Sequence, residues 1–405
     1  MDIREYSKRV HSELSRNILP FWANLAIDNV NGGFWGKMTF DGHVLAKAPK
    51  SLVLNAQILW VFSSICQYEK KDIFFPLAKR AFDFITSKFM DTKYGGAFWM
   101  LNCKGEPLDT RKEVFGQAAL ILALIEYYKV SQDARVLQLA EDIFVLLENK
   151  CRDNEGGGYL ESWKRDWSGT MDSHLCEGFL NEKRSLYTNL QLLEAYTSFC
   201  QVWNDGNLYY RLKELMDLFF KYMLDVRSLH FNLLYDLNWR TVSNHWSYGH
   251  DIWTSRLWCD SARVLGNKDV MTEIEKIYIK IIDTNIKQGV DHDNGLFCYG
   301  NQSGPTDTDK HGWAQAEAAL GYLYAYILTR ERKYYDASVN SWLFIEKNIV
   351  DKVNGEWHWK ISQSLEPLNT CPKISTWKSP FFNGRACIEI IRQLYQIQAM
   401  HQDQF

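Results

Sequence analysis

The chain has 405 residues, of which 46% are hydrophobic and 23% are charged, a balance typical of a globular protein with ample apolar material for a core. Its net charge of -3 provides no basic field to attract nucleic acid or anionic lipid. No apolar run reaches the roughly 18 residues of a membrane span, and the charged segment Met1–Arg9 lacks the apolar region of a signal peptide.

Apolar periodicity predicts helices along the whole chain. They are expected at 7–26, 51–69, 75–91, 111–130, 133–150, 185–203, 208–225, 250–265, 269–287, 311–330, 334–349 and 380–400. Segments Val114–Tyr128 and Trp313–Tyr326 are apolar around most of the helix, which is typical of buried helices. Asp133–Lys150 has a clear polar face and is expected to lie outside.

A glycine-centred turn followed by an aromatic residue recurs between these helices, about 60 to 65 residues apart where the turns are adjacent. The copies are Asn31–Phe34, Tyr94–Phe98, Glu155–Tyr159, Asp293–Phe297 and Asn354–Trp357, and a sixth copy without glycine fits near Ser228–Tyr235. Six helix pairs with alternating inner and outer members predict an all-α (α/α)6 toroid, because closure buries every inner helix. No linker rich in Pro, Gly or Ser interrupts the chain, so we predict one domain over residues 1–405.

Two short templates are shared between predicted inner helices. Phe115–Ala118 matches Trp313–Ala316 as aromatic-x-Gln-Ala, and Asn55–Gln57 matches Asn189–Gln191 as Asn-x-Gln. Common repeat ancestry is the favoured interpretation, and convergent helix packing is the alternative.

Cysteines and aromatic residues give further expectations. The nine cysteines are dispersed and form no CxxC pair, which indicates reduced thiols and a cytoplasmic protein. The 16 Trp, 21 Tyr and 22 Phe residues exceed ordinary usage. Most should fill the core, but aromatic rings also stack on the flat C–H faces of sugars.

Longer motifs occur near the starts of the inner segments: Asn31–Phe34, Leu54–Trp60, Ser247–Asp251, Trp313–Glu317 and Trp377–Arg385. In this order they resemble cellobiose 2-epimerases of the N-acylglucosamine 2-epimerase superfamily, and the resemblance covers essentially the whole chain. It implies an (α/α)6 barrel with a sugar pocket at the mouth of its inner ring.

The resemblance also implies a reaction. A reducing mono- or disaccharide would open, lose the proton at C2 to form an enediolate, and regain a proton on the other face. Such chemistry needs two bases and a cation or hydrogen-bond donors for the enediolate oxygen, but no metal and no nucleotide cofactor. We expect a monomer or homodimer whose partner is the small-molecule sugar.

His250 matches a catalytic histidine of this family. Further residues of the same motifs are expected to bind the sugar: Trp313, Trp377, Tyr248, Glu317 and Asn383. A structural histidine at a helix start is the alternative for His250, and an internal ion pair is the alternative for Glu317.

This chain departs from the family pattern at four positions. Gln57 stands where cellobiose 2-epimerases have an arginine, Gln191 and Phe382 stand where they have histidines, and Trp253 replaces a common glutamate. Neither an amide nor a phenyl ring transfers protons at neutral pH, and each lost general base costs about 10²–10⁴-fold in rate. Gln57, Gln191 and Phe382 are therefore expected to contact the sugar without transferring protons.

Three functions remain open at this point. The first is a C2 epimerase or aldose–ketose isomerase that pairs His250 with His311 or a carboxylate. The second is a sugar-binding homologue without turnover. The third and least favoured is a glycoside hydrolase with two carboxyl groups about 6.5–9.5 Å apart, drawn from Glu113, Asp251 and Glu317. Asp291-His292-Asp293 resembles a metal site only superficially, because adjacent turn residues point apart.

Overall fold

The computed structural model describes residues 1–69, 72–172 and 182–402. Within these ranges, thirteen α-helices follow one another: α1 (Ile3–Glu13), α2 (Leu19–Asn24), α3 (Leu52–Glu69), α4 (Phe75–Phe84), α5 (Val114–Ser131), α6 (Ala134–Lys150), α7 (Leu186–Cys200), α8 (Gly206–Leu218), α9 (Tyr248–Leu265), α10 (Lys268–Gly289), α11 (Gly312–Thr329), α12 (Arg332–Phe344) and α13 (Phe381–Gln402). A π-helical turn, Leu14–Ile18, joins α1 to α2 into one rod, which leaves twelve helical rods.

The odd-numbered helices from α3 to α13 form a closed inner ring. Each contacts the next along the chain, and the last, α13, contacts the first, α3. The remaining rods lie outside, and α6 buries only one face while α5 and α11 are buried over most of their length. The predicted all-α toroid is thus confirmed. The first helix begins at Ile3, earlier than predicted, because Asp2 caps its N-terminus by accepting a hydrogen bond from Glu5.

Helix α5 combines the length of a membrane span with a mean hydropathy of 1.2. Its apolar surface packs against α3 and α7, and 72% of the helix is buried inside the protein. An inner helix with neighbours on every side needs this composition.

Short antiparallel strands surround the N-terminal ends of the inner helices. Lys50–Ser51, just before α3, pairs with Met100–Leu101, and Trp246–Ser247, just before α9, pairs with Tyr299–Asn301. These strands fix the first turn of each inner helix at the mouth of the ring.

The recurring turns share a structure that explains their sequence. An aspartate opens each turn and accepts hydrogen bonds from backbone N–H groups two to four residues later. The six aspartates are Asp28, Asp91, Asp153, Asp225, Asp291 and Asp351. The degenerate copy is real, but it begins at Asp225, slightly ahead of its predicted position.

A buried cation holds five of these turns. It pairs with the aspartate, as Lys50 does with Asp28 at 2.7 Å, and it commonly also donates to a glycine carbonyl of the turn, as Lys50 does to Gly32. The equivalent cations at the other turns are Lys112, Arg184, Lys310 and Lys373. At the Asp225 turn, Trp246 occupies the corresponding strand position and stacks on His230 with ring centroids 4.0 Å apart.

The two shared templates have repeated structural roles. Gln117 exchanges two hydrogen bonds with the backbone of Ala97, and Gln315 makes the same bonds to Leu296. Asn55 and Asn189 each donate to a serine carbonyl four residues earlier, at 2.8 Å in both cases. These matching contacts support a common repeat origin.

Candidate active site

The second residue of the inner helices forms an aromatic layer at the mouth of the ring. In α5, α7, α11 and α13 these residues are Phe115, Tyr187, Trp313 and Phe382. Helix α9 has Gly249 there, and a Cβ at this position would lie 2.7 Å from the Trp313 ring. The glycine therefore lets Trp313 lie flat against α9, directly beside His250.

His250 lies within this layer. Its ring centroid is 4.6 Å from that of Trp313 and 4.8 Å from that of Tyr187. Nδ1 lies 2.9 Å from the Ser247 hydroxyl, which fixes the ring orientation. Burial lowers the pKa of His250 to about 3, so the imidazole is neutral at neutral pH and can accept a proton.

A cleft of about 240 Å³ opens on the Phe382 side of Trp313. Its lining comprises Gly312, Trp313, Trp357, His358, Trp359, Lys378, Ser379, Phe382 and Asn383. Polar groups in this lining are held in place by buried partners. Asn383 donates to the Glu356 carboxylate at 2.5 Å, Lys378 binds the same carboxylate, and Ser379 donates to the Gln57 Oε1 atom at 2.5 Å.

Trp377 lies on another part of the aromatic layer. Its ring centroid is 5.5 Å from that of Phe115 and 6.1 Å from that of Trp99. Tyr187 packs against the same small cluster and also contacts His250. Trp377 and Trp313 thus belong to one continuous aromatic surface.

A cluster of four charged residues lies beneath this surface. Arg385 of α13 donates to Glu194 of α7 at 2.5 Å and to Glu317 of α11, and Arg256 of α9 lies 3.5 Å from Glu317. The Arg385 guanidinium is 4.9 Å from the Trp253 ring centroid, which places it under the aromatic layer. The two cations compensate the two buried carboxylates.

The sequence profile of the N-acylglucosamine 2-epimerase (GlcNAc 2-epimerase) family matches residues 33–377. This chain belongs to that family. Cellobiose 2-epimerase of Bacteroides fragilis is 34% identical to this family member over 385 residues, which cover 95% of this chain and 98% of that relative.

Solved structures agree with this assignment. The cellobiose 2-epimerase of Bacillus thermoamylovorans superposes on this family member with a TM-score of 0.91 at 32% identity, covering 96% of this chain and 100% of that one. A D-mannose isomerase superposes with a TM-score of 0.81 over 95% of this chain and 97% of that one. Its identity of 18% shows a shared fold alone.

Several predicted site residues of this epimerase-family chain lie away from the cleft. Glu317 sits one helical turn below Trp313, with both carboxylate oxygens bound to arginines. Gln191 sits one turn below Tyr187, fully buried, and its amide nitrogen has no hydrogen-bond partner among the described residues. Tyr248, two residues before His250, faces about 200° away around α9 and packs against Gly289 and Gly300.

The remaining candidates are also engaged elsewhere. His311 lies 3.3 Å from Asp307 and outside the cleft lining. Asp251 holds His230 at 2.7 Å, and Glu113 accepts from Ser162 at 2.9 Å. None of Glu113, Asp251 and Glu317 lines the cleft, which disfavours the hydrolase hypothesis.

Two groups of side chains have metal-ligating atoms within 4.8 Å of one another. The side chains of Asp291, His292 and Asp293 converge, so the expectation that they point apart was wrong, but the Asp291 carboxylate is already paired with Lys310. The other group consists of Cys298, Asp307 and His311, and there Asp307 already lies 3.3 Å from His311.

Sequence reasoning missed His358 and Lys378 as cleft residues of this family member. His358 directly follows the repeat turn Asn354–Trp357, and Lys378 follows Trp377 inside the Trp377–Arg385 motif. The position of His358 next to a repeat turn is the sequence feature that could have predicted its place at the mouth of the toroid.

Proposed function

We propose that this protein catalyses C2 epimerisation, or the related aldose–ketose isomerisation, of a reducing mono- or disaccharide. Both reactions start when a base removes the proton at C2 of the open sugar. The placement of neutral His250 against Trp313 carries the proposal, because it puts a proton acceptor beside a ring on which a sugar face can stack.

The cleft contributes groups suited to the charge that develops. Removal of the C2 proton leaves negative charge on the enediolate oxygen, which hydrogen-bond donors and cations stabilise. Lys378 and Asn383 line the cleft and are held there by Glu356. Gln57 supports the site through Ser379.

The aromatic surface indicates how the rings of a sugar substrate would lie. The reacting sugar ring would lie against Trp313, beside His250. A second ring of a disaccharide would lie along the aromatic surface toward Trp377 and Trp99. We further propose that the protein is cytoplasmic, that it works without a cofactor, and that it is a monomer or homodimer.

Hydrogen exchange at C2 tests this function directly. The protein is incubated in D₂O with cellobiose, mannobiose, mannose or N-acetylmannosamine, and loss of the C2 proton signal is followed by NMR. We expect exchange with at least one sugar, and a decrease of about 10²–10⁴-fold in His250→Gln. His292→Gln, which alters a side chain that is 89% exposed in an outer turn, is the matched control. Absence of exchange with every reducing sugar would sink the proposal.

Sugar binding without turnover is the second candidate, and Phe382 is the observation that favours it. This phenyl ring lies in the cleft between Trp313 and Trp253, where it offers no proton-transfer group. On this hypothesis, a sugar raises the melting temperature but exchanges no C2 proton, and Trp377→Ala abolishes the stabilisation. Exchange by the wild-type protein would exclude it.

A further inference from the structure

An epimerase needs proton transfer on both faces of the reacting carbon, so a second proton-transfer group besides His250 is required. Among the described histidines, His358 alone lines the cleft together with Trp313 and Phe382. His230 is hydrogen-bonded to Asp251 and His311 lies 3.3 Å from Asp307, and neither lines the cleft. His358 is thus the remaining imidazole at the candidate site.

The backbone and ring of His358 are fixed. Its N–H donates to the Ile349 carbonyl at 2.8 Å, next to the bridge between Val350 and Trp357. The imidazole stacks on Phe40 with centroids 5.2 Å apart and planes 15° apart. Side chains held this way lose little further freedom when they meet a ligand.

The ring nevertheless keeps an unused polar atom. His358 is only 9% exposed, and its Nδ1 atom is buried without a hydrogen-bond partner. The nearest acid, Asp351, is 3.9 Å away and is already bound by Lys373 at 2.6 Å. An unpaired buried polar atom is destabilising, and a catalytic role is one of the reasons that a native structure keeps one.

We propose that His358 is the second proton-transfer residue of this site, acting on the face of C2 that His250 does not reach. The proposal rests on the epimerase function proposed above. It explains how the cleft can support turnover although Phe382 cannot carry a proton.

The proton balance closes with these two residues. Neutral His250 takes the C2 proton, the electron pair of the C2–H bond forms the C1–C2 double bond, and the C1 oxygen becomes negative. His358, neutral at rest, takes a proton from solvent beside the negative enediolate and gives it to the opposite face of C2 while the C1 carbonyl re-forms. His250 releases its proton to solvent, so both imidazoles return to their starting states, and the reverse reaction uses them in the opposite order.

Deuterium labelling of His358→Gln separates this role from the function itself. In D₂O the variant should still place deuterium at C2 of the starting sugar, since His250 serves that face. Formation of the C2 epimer should fall about 10²–10⁴-fold. His292→Gln should keep both rates.

A second variant distinguishes a proton-transfer role of His358 from a merely structural one. In His358→Gln/Phe382→His, an imidazole returns to the same cleft, and we expect epimer formation to recover at least partly. Unchanged epimer formation in His358→Gln would overturn the proposal, and so would loss of exchange and epimer formation together without rescue. Absence of exchange in the wild-type protein would instead contradict the proposed function itself.

Discussion

At the scale of single residues, His250 and the cleft residue His358 link the candidate site to stability. Burial lowers the pKa of His250 to about 3, and burial together with Lys373 and Lys378 lowers that of His358 to about 4, despite the nearby Asp351. A histidine in an unfolded chain titrates near pH ~6.5. Between that pH and the folded values, the unfolded state binds protons that the native state does not, so stability falls as pH falls.

We therefore predict that His250→Gln and His358→Gln each lose less stability on acidification than the wild-type protein. The difference should approach about 1.4 kcal/mol per pH unit below pH ~6.5 for each histidine. Urea unfolding of wild type and variants at near-neutral and mildly acidic pH measures it, with the exposed His292→Gln as control. A variant-to-wild-type difference that is the same at both pH values would contradict the prediction.

The pH dependence of stability has to be compared between the wild-type protein and a variant, because buried carboxyl groups change stability with pH in the opposite direction. Burial raises the pKa of Glu113 to about 8 and that of Glu161 to about 7. Above the ordinary carboxyl pKa, the native state holds protons that the unfolded chain has lost, so these groups favour lower pH. The wild-type curve alone would show partial cancellation.

At the scale of elements, the lysine–aspartate pairs are the main supports of the turns. Lys50→Met removes the cation from Asp28 and should cost about 3–5 kcal/mol, because a buried carboxylate is left without its partner. Lys79→Met removes an exposed pair with Asp83 within α4 and should cost at most about 0.5 kcal/mol. Denaturant unfolding compares the two, and equal costs would show that the turn does not depend on its cation.

The sequence predicted these turns from glycine but not from their charges. The aspartate and its cation are separated by 19 to 31 residues and belong to different local patterns, so no single window contains both. The turn at Asp225 has no glycine, so the sequence pattern predicted its start slightly too late. The pairing of each aspartate with its cation becomes evident only in the three-dimensional structure.

Local sequence patterns were limited in the same way for the candidate site. His250, Trp313, Phe382 and Asn383 lie near one another because the first turns of the inner helices meet at one mouth. Glu317 was expected there too, but a spacing of four residues places it one turn deeper. His358 lies on a connection between helices, where periodicity gives no orientation.

At the scale of the whole molecule, the buried charge cluster joins four of the six inner helices. Arg385 and Arg256 extend from α13 and α9, and Glu194 and Glu317 extend from α7 and α11. Burial raises the pKa of Glu194, and Arg385 opposes that shift. Arg385 therefore connects opposite parts of the ring beneath the aromatic layer.

Arg385→Met should destabilise the ring by about 3–5 kcal/mol, since it leaves two buried carboxylates with only the more distant Arg256. Adding Glu194→Gln should recover part of the loss by removing one uncompensated charge. Arg392→Met, on the same helix but in a partly exposed pair with Glu389, should cost at most about 1 kcal/mol. Because the cluster spans the ring, the loss should appear as one shifted unfolding transition when tryptophan fluorescence and circular dichroism are compared. Separate transitions by the two probes would mean that the inner helices do not depend on one another through this cluster.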